Sequence, residues 1–278
     1  MSDILVEIPN SQLPELAALY ESRASWAPHM STLVHTGIKW KRSDKYKDSI
    51  TFLSPRNSWE EDGTLIVLVN LFCQDIHVFT LDDHCTNLYQ GLSKTKRITY
   101  ENKRSYFYAV HEKFIPTVKR CLQEKNIKIA KDMPCLLYGL PPTQLVLQCP
   151  SDVYVKKIQP SDAKQINDLW PHPFFNSDKY IAGFIEINGG YGVFLKSSDQ
   201  MVAWAVRHVF GNPTVLQTEV AHKRKGYASL VMKAFAKEIG EEGYWTVVTV
   251  LPDNRAAIDA FEKLGFGKIA SCTFIAVE

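Results

Sequence analysis

Residues 215–241 constrain this chain more than any other stretch. Val215-Leu216-Gln217-Thr218-Glu219-Val220 reads as a strand, and Ala221-His222-Lys223-Arg224-Lys225-Gly226 as a short basic loop. Tyr227, Leu230, Val231, Ala234, Phe235 and Ile239 then recur at the spacing of one apolar helical face. A basic loop that opens a helix gathers unpaired backbone N–H groups, the positive end of the helix dipole and cationic side chains at one point. That combination suits a phosphate or pyrophosphate. Gly226, without a Cβ, lets backbone and ligand approach closely.

The flanking segments fit the same unit. Met201 to Phe210 reads as a strand, and Gly211-Asn212-Pro213 as a turn. Tyr244 to Val250 is a β-branched and aromatic strand. It leads into a helix that Asp253 or Asn254 can cap and that Gly265 can end in the left-handed conformation.

The spacing Lys223-x-x-Gly226-x-Ala228 resembles the Arg/Gln-x-x-Gly-x-Gly/Ala pyrophosphate loop of the GNAT N-acyltransferase superfamily. The run from Asn254 through Ala257 and Phe261 to Gly265-Phe266 resembles that superfamily's Asn-x-x-Ala-x-x-x-Tyr-x-x-x-Gly-Phe motif. Two further segments, Asp83-His84-Cys85-Thr86-Asn87-Leu88-Tyr89-Gln90 and Gln165-Ile166-Asn167-Asp168-Leu169-Trp170, are similar to stretches of the glycine N-acyltransferases. The second half is accordingly FR47-like.

The resemblance implies an α/β (α+β) fold of two GNAT-like units, each a mixed, mostly antiparallel sheet flanked by helices. Residues 1–145 form the degenerate unit and 152–278 the acyl-CoA-binding unit, with a boundary near Pro141-Pro142 to Pro150. Val153 to Ile158 opens the second unit as a half-buried strand, and Ser161 or Asp162 caps the helix after it. In the first half, Ser11 to Arg23 and His111 to Lys125 read as helices, and Thr64 to Phe72, Asp75 to Leu81 and Cys135 to Leu140 as strands. No basic Gly loop opens a helix there, so no cofactor is assigned to it.

The resemblance also implies the chemistry: acyl-CoA or acetyl-CoA as co-substrate, and a small amine or amino acid such as glycine as acceptor. Thr218, Glu219 and Val220 are expected to face the pantetheine arm. Backbone groups of Lys223, Arg224, Lys225, Gly226, Tyr227 and Ala228 are expected at the pyrophosphate, with Asn254 and Phe261 on the cofactor side. Two positions depart from the pattern. Phe261 stands where the thiolate-protonating Tyr belongs, and Asn212 where the glycine N-acyltransferases carry a glutamate base. Glu219 and His208 are the expected substitutes, with His222 or a water as alternatives; imidazole is the side chain whose ordinary titration suits this task. Trp170, Phe174, Phe175, Tyr191 and Trp204 are candidates to line an apolar acyl or acceptor pocket. The competing readings are an acyl-CoA-binding protein without catalysis and a protein or peptide N-acetyltransferase.

Lys+Arg 32 against Asp+Glu 30 leaves a formal net charge of +2, with no basic half to serve as a nucleic-acid footprint. No apolar run reaches membrane-spanning length. The acidic N-terminal stretch reads as neither a signal nor a transit peptide. The six cysteines lack paired spacing and read as reduced thiols of a cytoplasmic protein, with a mitochondrial location left open. Asp83-His84-Cys85 are adjacent and cannot all face one ion from a regular element, so no metal is expected.

Overall fold

The computed structural model describes residues 2–100, 104–143 and 145–278. The chain runs through one order of elements twice. The first pass is β1 (Leu5–Glu7), α1 (Leu13–Arg23), α2 (His29–Lys41), β2 (Ile50–Pro55), a single turn α3 (Trp59–Asp62), β3 (Leu65–Asn70), β4 (Gln74–Phe79), α4 (Thr86–Lys94), β5 (Ser105–His111), α5 (Ile115–Glu124) and β6 (Ile129–Leu140). The second is β7 (Val153–Lys157), α6 (Ala163–Leu169), α7 (Ser177–Asn188), β8 (Gly190–Leu195), β9 (Met201–Arg207), β10 (Pro213–Thr218), α8 (Tyr227–Glu241), β11 (Thr246–Val250), α9 (Arg255–Lys263) and β12 (Gly267–Val277). Strand, two helices, three strands, helix, strand, helix, strand thus recurs; the first pass adds only α3.

Two sheets result, in the orders β1-β2-β3-β4-β5-β12-β6-β11 and β10-β9-β8-β7. Among the described residues, β1 with β2, β2 with β3, β3 with β4, β5 with β12, and each neighbouring pair of β7 to β10 run antiparallel, and β4 with β5 runs parallel. The fold is the expected mixed α/β class. Among the described residues no helix is long and apolar enough to cross a membrane.

The compact units do not follow a single cut near residue 145. One comprises 1–137, 249–253 and 269–278; the other comprises 138–248 and 254–268. The reason is strand pairing: β12, last in sequence, aligns Cys272 with His111 and Val277 with Ser105 on β5.

In the first unit, Leu16 and Tyr20 of α1, Trp40 of α2, and Phe52, Phe79, Phe107 and Phe114 are at most 2% exposed. The sequence places His111 in a helix; it instead ends β5, and the helix begins at Ile115, with Pro116 in its first turn. α2 and β2 carry no clean amphipathic pattern because most of their residues are buried, polar ones such as His29 and Thr32 included, so neither stands out by period.

In the second unit, α8 lays Tyr227, Leu230, Val231, Phe235 and Ile239 against Val193, Val202, Ala203 and Ala205 of β8 and β9. This is the apolar face read from the sequence. Phe235 is fully buried, and truncating such a ring to Ala costs about 3–5 kcal/mol. Asp162 stands at the N-cap of α6, as expected, but without a side-chain cap bond there; its carboxylate instead closes the preceding turn 160–162 by accepting the Gln159 N–H at 2.7 Å.

Candidate functional site

β10 is an edge strand of its sheet, and its ladder with β9 is broken. Thr214 pairs with Val206 and Gln217 with Trp204, so Val215 and Leu216 together face only Ala205. Val215 takes a φ of +55°, unusual for a β-branched residue. The bulge turns backbone groups of 215 and 216 out of the ladder.

Beyond β10, residues 220–222 make one tight helical turn, and Lys223 to Gly226 lead into α8. Arg224 and Gly226 have φ of +63° and +81°. No side chain caps α8. Among the described residues, no carbonyl or side chain accepts the amides of Arg224 through Ser229; the first bonded amide is Leu230, to Gly226. A Cβ added at Gly226 would meet no atom within 4 Å. A run of open N–H groups at the positive end of a fifteen-residue helix is a built anion cradle.

The cradle forms one end of a cleft of about 580 Å³ between β10, α8 and α9. Thr218, Lys223, Arg224, Gly226, Tyr227, Ala228 and Phe261 of the expected set line it. The sequence placed Ala257 in a motif but gave no cleft role to Pro171, Leu216, Gln217, Ser229, Met232 or the small face Ala256, Ala257 and Ala260. The three alanines share one side of α9, and this small-residue stripe was the available signal. Phe261 is 5% exposed, packs on Phe266 at 5.7 Å, and turns hydrocarbon to the cleft.

Other expected residues lie elsewhere. Val220 is 83% exposed and, like Lys225, does not line the cleft. Asn254 is the cap of α9: its Oδ1 accepts the Ala257 N–H at 3.2 Å, which commits its polar group to the helix. Gly265 follows α9 with φ of +92°, as its position required. Glu219 lies past the end of β10, three residues from the bulge, roughly 10 Å along a strand. Its carboxylate accepts Gln165 Nε2 at 3.1 Å and Gln200 Nε2 at 3.0 Å, which draws it away from the cleft lining. His208 is 1% exposed, with Nε2 at 3.1 Å from the Tyr180 hydroxyl, Nδ1 accepting the Phe210 N–H at 3.3 Å, and Phe184 at 4.5 Å. It is a core histidine, not a cleft residue. Asn212 is also buried, and its carbonyl accepts the His208 N–H at 2.9 Å.

Beside the cleft the segment after α6 is aromatic. Gln217 Nε2 donates to the Leu169 carbonyl, and Trp170 meets Phe174 edge-on at 6.1 Å. Leu169 and Phe175 are 43% and 89% exposed on either side of the cleft-lining Pro171. Trp204 is fully buried and Tyr191 packs on Phe235 at 5.2 Å, so these two belong to the core. Among the described residues, no group of His, Cys, Asp and Glu is arranged to hold a metal ion.

Comparison with known proteins bears on the fold. Residues 190–275 match the FR47-like protein family, and residues 4–121 match a domain of unknown function (DUF5645). No curated protein matches the sequence. An X-ray structure of a Drosophila protein superposes with a TM-score of 0.89 at 20% identity, covering 100% of this chain and 99% of that one. A GCN5-related N-acetyltransferase from Sphaerobacter thermophilus gives a TM-score of 0.54 at 7% identity, covering 99% and 96%. A tandem GNAT protein of the clavulanic acid biosynthesis pathway gives 0.52 at 9% identity, covering 98% and 97%. The chain has the GNAT fold. The tandem relative matches over both passes of the repeated element order, as a two-unit GNAT architecture requires.

Proposed function

We propose that this protein is an acyl-CoA-dependent N-acyltransferase that transfers an acyl group from CoA to a small amine or an amino acid such as glycine. The observation that carries the reading is the open run of amides from Arg224 to Ser229, at the end of a cleft that begins at a strand bulge. Pyrophosphate takes the amides, with Lys223 and Arg224 adding charge. The pantetheine arm runs along Thr218 and Gln217 toward Leu216, where the turned-out backbone polarises the thioester carbonyl and receives the oxyanion. Glu219 and Val220 flank that path, and Tyr227 and Ala228 close the cradle. No nucleic acid, membrane or metal enters the reaction, and the site of action is the cytoplasm.

The neutral amine attacks the thioester carbon. The nitrogen proton leaves, and the tetrahedral intermediate collapses to amide and CoA thiolate. Of the two candidate bases, Glu219 is the more accessible; His208 is enclosed by the core. Phe261 has no proton to give, so the thiolate leaves unassisted or takes its proton from water. The exposed Leu169, Pro171 and Phe175 beside the acyl end favour an apolar acyl group or amine.

The test is thiol release from acetyl-, benzoyl- and long-chain acyl-CoA against a panel of amino acids and amines. Turnover with one acceptor class supports the reading; CoA binding without turnover on the whole panel overturns it. Glu219→Gln and His208→Gln then locate the base, through a fall of about 10²-fold in turnover with CoA affinity intact.

A second reading, an acyl-CoA-binding protein without catalysis, is favoured by one observation. The expected acid position holds Phe261 and the expected base position holds the buried Asn212.

A further inference from the structure

His222 lies between the strand and the cradle, on the tight turn 220–222, and lines the cleft beside Lys223 and Arg224. Its N–H donates to the Glu219 carbonyl at 2.9 Å, which fixes the backbone. Its ring stacks on Tyr227, with centroids 6.4 Å apart and planes 27° apart. Tyr227 is itself anchored, 3% exposed, with its hydroxyl donating to Asp152 at 3.1 Å. The imidazole is therefore held by packing on a tethered ring.

The two ring nitrogens have different surroundings. Nδ1 is buried and, among the described residues, meets no hydrogen-bond partner. With Nδ1 enclosed, Nε2 is the accessible nitrogen, and the residue lines the cleft together with Lys223 and Arg224. A donor fixed at that point serves an anion. It stands on the turn beyond the strand, with five residues between it and Leu216 of the bulge. Within the acyl-CoA reading proposed above, on which this inference rests, the ligand's only anionic part is its phosphates.

We infer that His222 is a phosphate ligand of the cleft: its Nε2–H donates to the CoA pyrophosphate, and the stack on Tyr227 positions it. The sequence offers His222 as an alternative base; the geometry gives it to the cofactor.

The experiment uses the full chain and measures affinity by calorimetry for two probes, CoA and pantetheine, which lacks the phosphates. His222→Phe keeps a flat ring on Tyr227 and removes the donor. His222→Gln restores a side-chain N–H. A hydrogen bond to a charged oxygen leads to the expectation that His222→Phe weakens CoA about tenfold and leaves pantetheine unchanged. His222→Gln should recover most of the loss. The thermal midpoint of each variant checks folding. Undiminished CoA affinity in a folded His222→Phe overturns the inference alone, because wild-type binding upholds the cofactor reading. Equal weakening of CoA and pantetheine also overturns it and makes the residue a packing element. Failure of the wild type to bind CoA removes both.

Discussion

The two halves carry the same kind of helix start and treat it in opposite ways. In each, a strand leads through a short loop to a helix whose preceding residue is left-handed: Cys85 with φ of +54° before α4, and Gly226 with φ of +81° before α8. Three residues earlier stand Asp82 and Lys223. Asp82 Oδ1 accepts the His84 N–H at 2.9 Å and its Oδ2 the Thr86 N–H at 2.8 Å. These bonds hold its carboxyl below the ordinary value, against burial, which alone would raise it. The first half has thus placed its own anion on its helix terminus, while the second leaves the terminus open for one. The strands differ in the same sense. β4 keeps unbroken register with β3 and pairs with β5 on its other side, whereas β10 is bulged and stands at a sheet edge. An element order can be repeated while the site is kept in one copy only. What matters is whether strand and helix terminus satisfy themselves.

The largest expected effect breaks the comparison from the first half. His29 is fully buried there, and burial lowers its titration to about 3, with His111 and His77 adding to the depression. An unfolded histidine takes its proton near pH 6.5, so between that value and about 3 the unfolded chain binds more protons. Stability is full above about 6.5 and falls as pH drops through this window, by up to about 4–5 kcal/mol. Urea unfolding at pH 7 and pH 4, followed by hydrogen exchange in each half, should show the first half opening first. His29→Gln should flatten the dependence, and an equal pH slope in that variant rules the mechanism out.

Next come two substitutions that close the second half. Lys223→Asp supplies the carboxylate the first half already has, and should cut CoA affinity about 100-fold while stabilising the start of α8. Gly226→Val places a branched side chain in open space where a ligand would meet it, and strains a left-handed residue, so the thermal midpoint is read beside affinity. It should cost CoA affinity by a similar factor in a protein that still folds. Calorimetry with CoA decides, and unchanged binding in either folded variant removes the cradle assignment.

A smaller effect is expected in the opposite direction. Asp82→Ala exposes the His84 and Thr86 amides and should destabilise the protein by about 1 kcal/mol, roughly 2–4 °C in Tm. CoA affinity should stay within twofold; a larger change would mean that the first half contributes to binding. The smallest effect is a gain. Phe261→Tyr adds a hydroxyl to the cleft wall, and turnover should rise a few-fold if thiolate departure limits it. A fall in CoA affinity would instead mean that the ring position is sterically full.

Several features were legible because their causes are local. The apolar period of α8, the left-handed requirement met by Gly226 and Gly265, and the capping chemistry of Asn254 are written within a few residues. The helix α2 and the strands β2 and β5 were hidden, since burial on all sides erases the period that reveals an element. The prolines between Pro141 and Pro150 are a local signal, but the pairing of β12 with β5, more than a hundred residues earlier, leaves none.

The sequence by itself determined the cradle: a strand, a basic loop with one glycine, and an amphipathic helix must leave amides bare wherever no side chain caps them. Only the tertiary structure decided which side chains reach it. Glu219 is drawn off by two glutamines and His208 is sealed against Tyr180, while His222 is laid on Tyr227 and lines the cleft. The physical reason is range. Backbone hydrogen bonding at a helix start is set by the residues in that turn, whereas side-chain direction is set by partners that the fold brings from distant positions.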